Sequence, residues 1–255
     1  MKILIEKITI SSIINSNKYQ GVDIVFRYVH APTVGIGVEE AIKALNEYGV
    51  MEERENQDWQ DTTKEIQLCL DIDDPTAEPA ISRCIMGDLR ALASYDHEIL
   101  DGTADDRGWK YTYHQLYSRF YDQCRDELKR NIHTRRACIA LGQGDINFSE
   151  DPPCLQMLMF NYVQGKLEMT IIFRSNDGVK AFPMNIHAIS LIQQRMAKEL
   201  GVPVGPLHYI ANNFHCYSRD YDVIKAYVHT FETANEKRRF FSMDQVMEYY
   251  NGEKE

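Results

Sequence analysis

The sequence predicts an α+β protein built on a large mixed sheet with flanking helices. Three observations carry this. Strand-like and helix-like runs interleave without regular βαβ repetition. No internal repeat, low-complexity tract or long linker breaks the chain, which points to one domain over 1–255. The composition, 44% hydrophobic and 26% charged across 255 residues, is that of a chain able to bury a sizeable core.

Taken in order, residues 2–10 (KILIEKITI) and 22–29 (VDIVFRYV) read as strands from their β-branched, alternating content. Residues 38–48 place Val38, Ala41, Ile42 and Leu45 on one helical face, and Gly49 follows as a stop. The polar stretch 52–63 reads as a surface loop, and 65–72 (EIQLCLDI) as a strand. Helical regions are expected over 81–100 and 113–130, then a strand at 136–141. The runs 155–163 and 167–174 are joined by Gln164, Gly165 and Lys166, which predicts a hairpin. A helix follows over 183–200, with Pro183 at its first position and Gly201 at its end. A strand at 207–217 and a helix at 219–234 complete the reading.

With 28 basic against 38 acidic residues, the net charge of −10 argues against broad coating of nucleic acid, which needs a basic face. A small anionic ligand stays open, because a few arginines in one pocket outweigh the global sign. No run approaches the roughly 18–20 apolar residues of a membrane span. Glu6 and Lys7 interrupt the first apolar run, and six cysteines are scattered without CxxC spacing, so a cytoplasmic protein with free thiols is expected. Gly35-Ile36-Gly37 lacks the third glycine of a dinucleotide loop, Glu40 standing in its place. His208, His215 and Cys216 do not form a zinc-ligand set, since alternation separates His215 from Cys216, and no metal is expected. Cys154 follows Asp151-Pro152-Pro153, where a rigid turn enters an apolar strand. The hairpin brings Arg174-Ser175-Asn176-Asp177 beside it. An arginine near a thiol lowers its pKa and offers an anion site; a buried structural thiol and a solvated loop are the competing readings.

These residues carry a resemblance. Asp151-Pro-Pro-Cys154-Leu-Gln, then Phe173-Arg174-Ser175-Asn-Asp177, then Phe182-Pro183-Met-Asn185 resemble, in order and spacing, the motifs of the thymidylate synthase family. His215-Cys-Tyr217 is similar to its His-x-Tyr motif, and Thr134-Arg135-Arg136 to its arginine pair upstream of the cysteine. The match covers about 131–220, and Glu78-Pro79-Ala-Ile-Ser-Arg with Tyr111-Thr-Tyr113-His looks like the family's archaeal branch.

The resemblance implies a homodimer packed sheet on sheet. It also implies one-carbon transfer to C5 of a pyrimidine deoxynucleoside 5′-monophosphate, with dUMP converted to dTMP. The donor it implies is 5,10-methylene-tetrahydrofolate or a related reduced pterin. Cys154 would be the nucleophile, with Tyr113 and Asp88 in the catalytic set. Arg174 and Ser175 of one subunit, with Arg135 and Arg136 of the other, would hold the phosphate. Asn185 would read the base, Asp177 would belong to the substrate-binding set, and His215 and Tyr217 would contact the sugar hydroxyl. The family's Arg-Thr-Gly-Thr phosphate loop is absent, and so is its Glu-Leu-Leu-Trp-Phe-Leu helix, for whose glutamate Asp88 is a candidate stand-in. Asn212-Asn213 replaces a Gly-Asp pair. These departures leave a nucleotide hydroxymethylase open as a second reading, and a non-catalytic nucleotide-binding homologue as a third.

Overall fold

The computed structural model describes residues 26–55 and 60–252. The expected strand at 2–10 and the start of the one at 22–29 lie outside the described residues. The chain runs through β1 (Phe26–Ala31), α1 (Val34–Tyr48), β2 (Val50–Glu55), β3 (Gln60–Ile72), β4 (Ile81–Ser82), α2 (Leu89–Asp101) and α3 (Tyr113–Arg130). It continues through β5 (Cys138–Ala140), a 3-10 turn (Gly144–Phe148), β6 (Leu155–Val163), β7 (Lys166–Phe173), β8 (Asn176–Asp177) and α4 (Phe182–Leu200). The last elements are β9 (Val204–Tyr217), a second 3-10 turn (Ser218–Asp220), α5 (Tyr221–Thr233), α6 (Glu236–Arg239), β10 (Phe240–Phe241) and α7 (Met243–Gly252).

Among the described residues, eight strands form one mixed sheet in the order β1-β3-β9-β7-β6-β5, with β2 on β3 and β8 on β9. Strand β7 alternates throughout, and β3 and β9 alternate over most of their length, broken by a register shift between Ile66 and Leu68. Leu68, Leu70, Ile72, Met169, Ile171, Phe173, Leu207 and Tyr209 are fully buried under the helices. Each such side chain contributes about 1.5–3 kcal/mol on burial, which sets the register firmly, because a one-residue slip would expose the whole set. Helix α4 lies on this face and buries Phe182, Ile186, Ile189, Ile192 and Met196.

The opposite face carries a second continuous row. Tyr28 pairs with Cys69, Cys69 with Ile210, Ile210 with Ile172, Ile172 with Met157 and Met157 with Ala140. All six are only partly covered or exposed, Tyr28 at 56%.

Several boundaries shift from the sequence expectation. The stretch 52–63 is not a loop: β2 and the first residues of β3 pair antiparallel, Glu52 opposite Thr63 and Glu53 opposite Thr62. Its charges ride on an exposed edge strand, where they discourage pairing with other chains. The helix expected from 81 begins only at Leu89, where Asp88 caps it. Gly35 and Gly37 sit inside α1 rather than in a phosphate loop. Gly35 donates its N–H to the Pro79 carbonyl at 3.0 Å, and a Cβ there would lie 2.5 Å from that oxygen. The β6–β7 connection is a two-residue turn, Gln164 (φ 49°) and Gly165 (φ 83°), with Lys166 already paired to Val163. Two positive φ values match the twist of the flanking strands. Pro183 is the second residue of α4 rather than its first.

Candidate functional site

The two-residue turn aligns β6 and β7 so that Cys154, just ahead of β6, meets Arg174, just past β7. The Arg174 N–H donates to the Cys154 carbonyl at 2.9 Å. Its guanidinium folds over the Asp-Pro-Pro turn, Nε donating to the Pro153 carbonyl at 3.1 Å and Nη2 to that of Pro152 at 2.7 Å. A guanidinium has five N–H donors, so three remain for an anion. Burial pushes the half-buried Cys154 thiol up, while Arg174 and a hydrogen bond from Tyr113 pull it back. Tyr113 opens α3, whose start is fixed by a capping box between Thr112 and Gln115. Its ring stands edge-on to Phe173, and burial lifts its phenol well above the ordinary range, so it keeps its proton and can donate.

Two hydrogen-bond chains lie near Cys154. The first joins α2, α4 and β8 to the sheet. Tyr95 donates to Asn185 Oδ1 at 2.5 Å, and Asn185 Nδ2 donates to Asn176 Oδ1 at 3.1 Å. Asn176 Nδ2 in turn donates to the Tyr209 hydroxyl at 2.8 Å. Asn176 and Asn185 are buried, and the Cys154 charge is felt by both phenols. The second chain runs along β9. His215 Nδ1 lies 2.8 Å from Asn213 Oδ1 and 3.5 Å from Ser175 Oγ. Asn213 Nδ2 donates to Glu65 Oε2 at 2.5 Å, and Arg54 holds the same carboxylate through Nε at 2.7 Å and through Nη2. Arg54, Glu65, Arg174, Ser175, Asn213, His215 and Tyr217 line one cleft of about 500 Å³.

Of the expected site residues, Arg174, Ser175, His215 and Tyr217 line this cleft. Cys154 lies beside it, close enough to Tyr113, Arg174 and Tyr217 to interact electrostatically with each, and Asn185 is tied to the sheet through Asn176. Asp177 spends Oδ1 on the N–H groups of Val179 and Lys180, each at 2.9 Å, and shapes the turn into α4. Asp88 is exposed and accepts from the Ala91 N–H at 3.0 Å as the cap of α2. Arg135 and Arg136 are exposed just ahead of β5 and are not among the residues lining the cleft. Sequence reasoning missed Arg54, Glu65, Tyr95 and Tyr209. Glu65 stood in an expected strand next to Asn213's strand, but nothing in one sequence shows that they pair.

A mixed sheet whose central strands end on an arginine-flanked thiol, beside buried amides, defines a thiol-bearing site suited to a small polar anion. The family model described as Thymidylate synthase matches residues 102–244. A protein of Methanocaldococcus jannaschii named "Putative thymidylate synthase" is 30% identical over 216 residues, covering 78% of this chain and 95% of that protein. A deoxyuridylate hydroxymethyltransferase of Bacillus phage SP01 is 34% identical over 126 residues, 44% of this chain and 33% of its own. Among solved structures, thermostable thymidylate synthase A from Bacillus subtilis has the same fold, with a TM-score of 0.62 at 17% identity, over 77% of this chain and 84% of that one. The chain belongs to the thymidylate synthase family.

No helix among the described residues is long and apolar enough to cross a membrane, and no group of three or more His, Cys, Asp or Glu among them is placed to hold a metal ion.

Proposed function

We propose that this chain transfers a one-carbon unit to C5 of a pyrimidine deoxynucleoside 5′-monophosphate, converting dUMP to dTMP. The observation that carries the reading is the junction of Cys154 with Arg174, Tyr113 and the cleft of Ser175, His215 and Tyr217. C5 of uracil is a poor nucleophile until a group adds at C6. The Cys154 sulfur forms that bond, and the C5–C6 electron pair moves onto the ring carbonyl system, leaving C5 nucleophilic. Donors already in place stabilise the charge that develops. After the carbon–carbon bond forms, loss of the C5 proton would release the carrier from the new exocyclic carbon. Addition of hydride or water to that carbon would then return an electron pair to C5–C6, so that the Cys154–C6 bond breaks and the sulfur is freed.

Asn185 supplies an N–H and a carbonyl lone pair, which suit uracil O4 and N3–H. Arg174 and Ser175 serve the phosphate, joined by Arg135 and Arg136 of a second subunit. His215 and Tyr217 serve the sugar.

A methylene-tetrahydrofolate-type donor supplies the methylene carbon and, for a methyl product, the hydride. Tyr111 is only partly buried, and its phenol, pushed up first by burial, also responds to Asp151, Cys154 and Arg174, which puts an aromatic ring near the thiol. Hydroxymethylation, in which water takes the place of hydride, is the second reading, favoured by the similarity to the phage hydroxymethyltransferase. Mass analysis of the product from dUMP and methylene-tetrahydrofolate decides: a gain of CH2 is expected, a gain of CH2O overturns methylation, and no product with either dUMP or dCMP overturns the reading.

A further inference from the structure

The hydrogen-bond chain that ends on His215 begins on a group that can only accept. Glu65 takes hydrogen bonds from Arg54 Nε at 2.7 Å, from Arg54 Nη2, from Thr63 Oγ1 at 2.5 Å and from Asn213 Nδ2 at 2.5 Å. Burial alone would raise this carboxyl, but the Arg54 pair with the Thr63 and Asn213 donors outweighs it and holds Glu65 below the usual range. It is ionised at neutral pH, with no hydrogen to give.

Asn213 must therefore turn its NH2 to Glu65, which leaves its Oδ1 facing His215 Nδ1 at 2.8 Å. An amide oxygen also only accepts, so the hydrogen between the two sits on Nδ1. Burial lowers the His215 pKa against the pull of Asp177 and Glu65, so the imidazole is neutral and carries one N–H. Its lone pair is then on Nε2, for which the described residues supply no hydrogen-bond partner, in a ring that lines the cleft.

We infer that Glu65 and Asn213 are positioning residues that fix His215 as the Nδ1–H tautomer, so that its Nε2 accepts a hydroxyl hydrogen from the ligand. The site then selects a nucleotide whose sugar keeps that hydroxyl; in a 2′-deoxynucleotide this is the 3′-hydroxyl. Only the naming of the sugar rests on the function proposed above. The tautomer is a property of the ligand-free chain.

The polarity can be inverted by design. In Glu65→Gln, the Arg54 donors keep the amide oxygen of the new side chain, and its NH2 faces Asn213. Asn213 then flips, presents its own NH2 to His215 Nδ1 and moves the ring hydrogen to Nε2. Adding Asn213→Asp restores an acceptor-only group at Nδ1 and accepts from the new glutamine, which returns the original tautomer. Nitrogen-15 spectra of the imidazoles at neutral pH, with His215 assigned by a His215→Asn variant, read this directly. The expected result is a protonated Nδ1 in the wild type, a protonated Nε2 in Glu65→Gln, and reversion in the double variant.

In parallel, the KM for dUMP should rise about tenfold in Glu65→Gln with a smaller change in kcat, and return in the double variant. Binding of the 2′,3′-dideoxy analogue, which has no hydroxyl to donate, should respond far less. A wild-type His215 protonated on Nε2, or a tautomer that Glu65→Gln leaves unmoved, overturns the inference. A tautomer that inverts while dUMP and its dideoxy analogue weaken equally overturns the hydroxyl selection. The expected tautomers in a protein that binds no pyrimidine nucleotide overturn the functional reading instead.

Discussion

Cys154 is held between opposed influences, and their balance decides whether it reacts. Burial favours the neutral thiol, and Asp151 adds to this; Arg174 and the Tyr113 hydrogen bond favour the thiolate. The net effect lies above the ordinary thiol value of about 8.5, so the free protein holds only a minor thiolate fraction at neutral pH. The alkylation rate of Cys154 by iodoacetamide should therefore climb through and beyond that pH. In Arg174→Ala the climb should move to higher pH, because the guanidinium that favours the thiolate is gone. A profile that does not move would show that Arg174 does not act on the thiol. For turnover, Cys154→Ser should cost roughly a thousandfold or more, since an alkoxide is far harder to form than a thiolate. The replacement is nearly isosteric, so the thermal unfolding midpoint should stay close to that of the wild type. A Ser variant with full turnover would remove Cys154 from the chemistry.

At the scale of elements, the pair α2 and α4 sets the Asn185 amide, the group proposed to read the base. Tyr95 projects from α2 onto Asn185 in the first turns of α4, and a second rung places buried Asp96 against His187, Nε2 to Oδ2 at 3.3 Å. Removing the phenol hydroxyl with Tyr95→Phe leaves the Asn185 oxygen without its donor, which should cost about 1 kcal/mol of stability. It also frees the two buried amides to reverse together, which presents a lone pair where uracil O4 would sit and an N–H opposite N3–H. The kcat/KM for dUMP should fall about tenfold, with less loss for dCMP. An unchanged ratio between the two nucleotides would show that Tyr95 supports only the packing.

How much of this was legible depended on the element. Helix α3 could be read at both ends, because Thr112 and Gln115 cap it and Lys129 and Arg130 close it. Helix α4 was legible from Pro183 and Gly201, and the hairpin from Gly165. The β2–β3 pairing was not, because an edge strand with outward Glu52, Glu53 and Glu55 has the composition of a loop. Arg54 was hidden with it. Tyr95 and Tyr209 were invisible for another reason: each looks like one more aromatic on an apolar stripe until the fold brings it to an asparagine.

For the whole molecule, the sheet face away from α4 carries, among the described residues, a continuous row that is only partly covered. The row Tyr28–Cys69–Ile210–Ile172–Met157–Ala140 crosses six strands, and a second copy of the same face is a self-complementary cover for it. Arg135 and Arg136 lead into β5, the strand at the end of that sheet, and they are exposed without lining their own subunit's cleft. The proposed sheet-on-sheet dimer would give them a role across the interface, and each phosphate site would then need both chains. Subunits carrying Cys154→Ser and subunits carrying Arg136→Ala should each be nearly inactive alone. Mixed and reassembled at random, half of the dimers pair one with the other, and in each of these one of the two sites has both an intact Cys154 and an intact Arg136. Activity should recover to roughly a quarter of the wild-type level for the same total protein. Recovery should need a refolding or exchange step, since simple mixing of stable dimers leaves the subunits where they were. A protein that sediments as a monomer at micromolar concentration, or reassembled mixtures that stay as inactive as their parents, would sink the shared site and return Arg135 and Arg136 to the solvated surface.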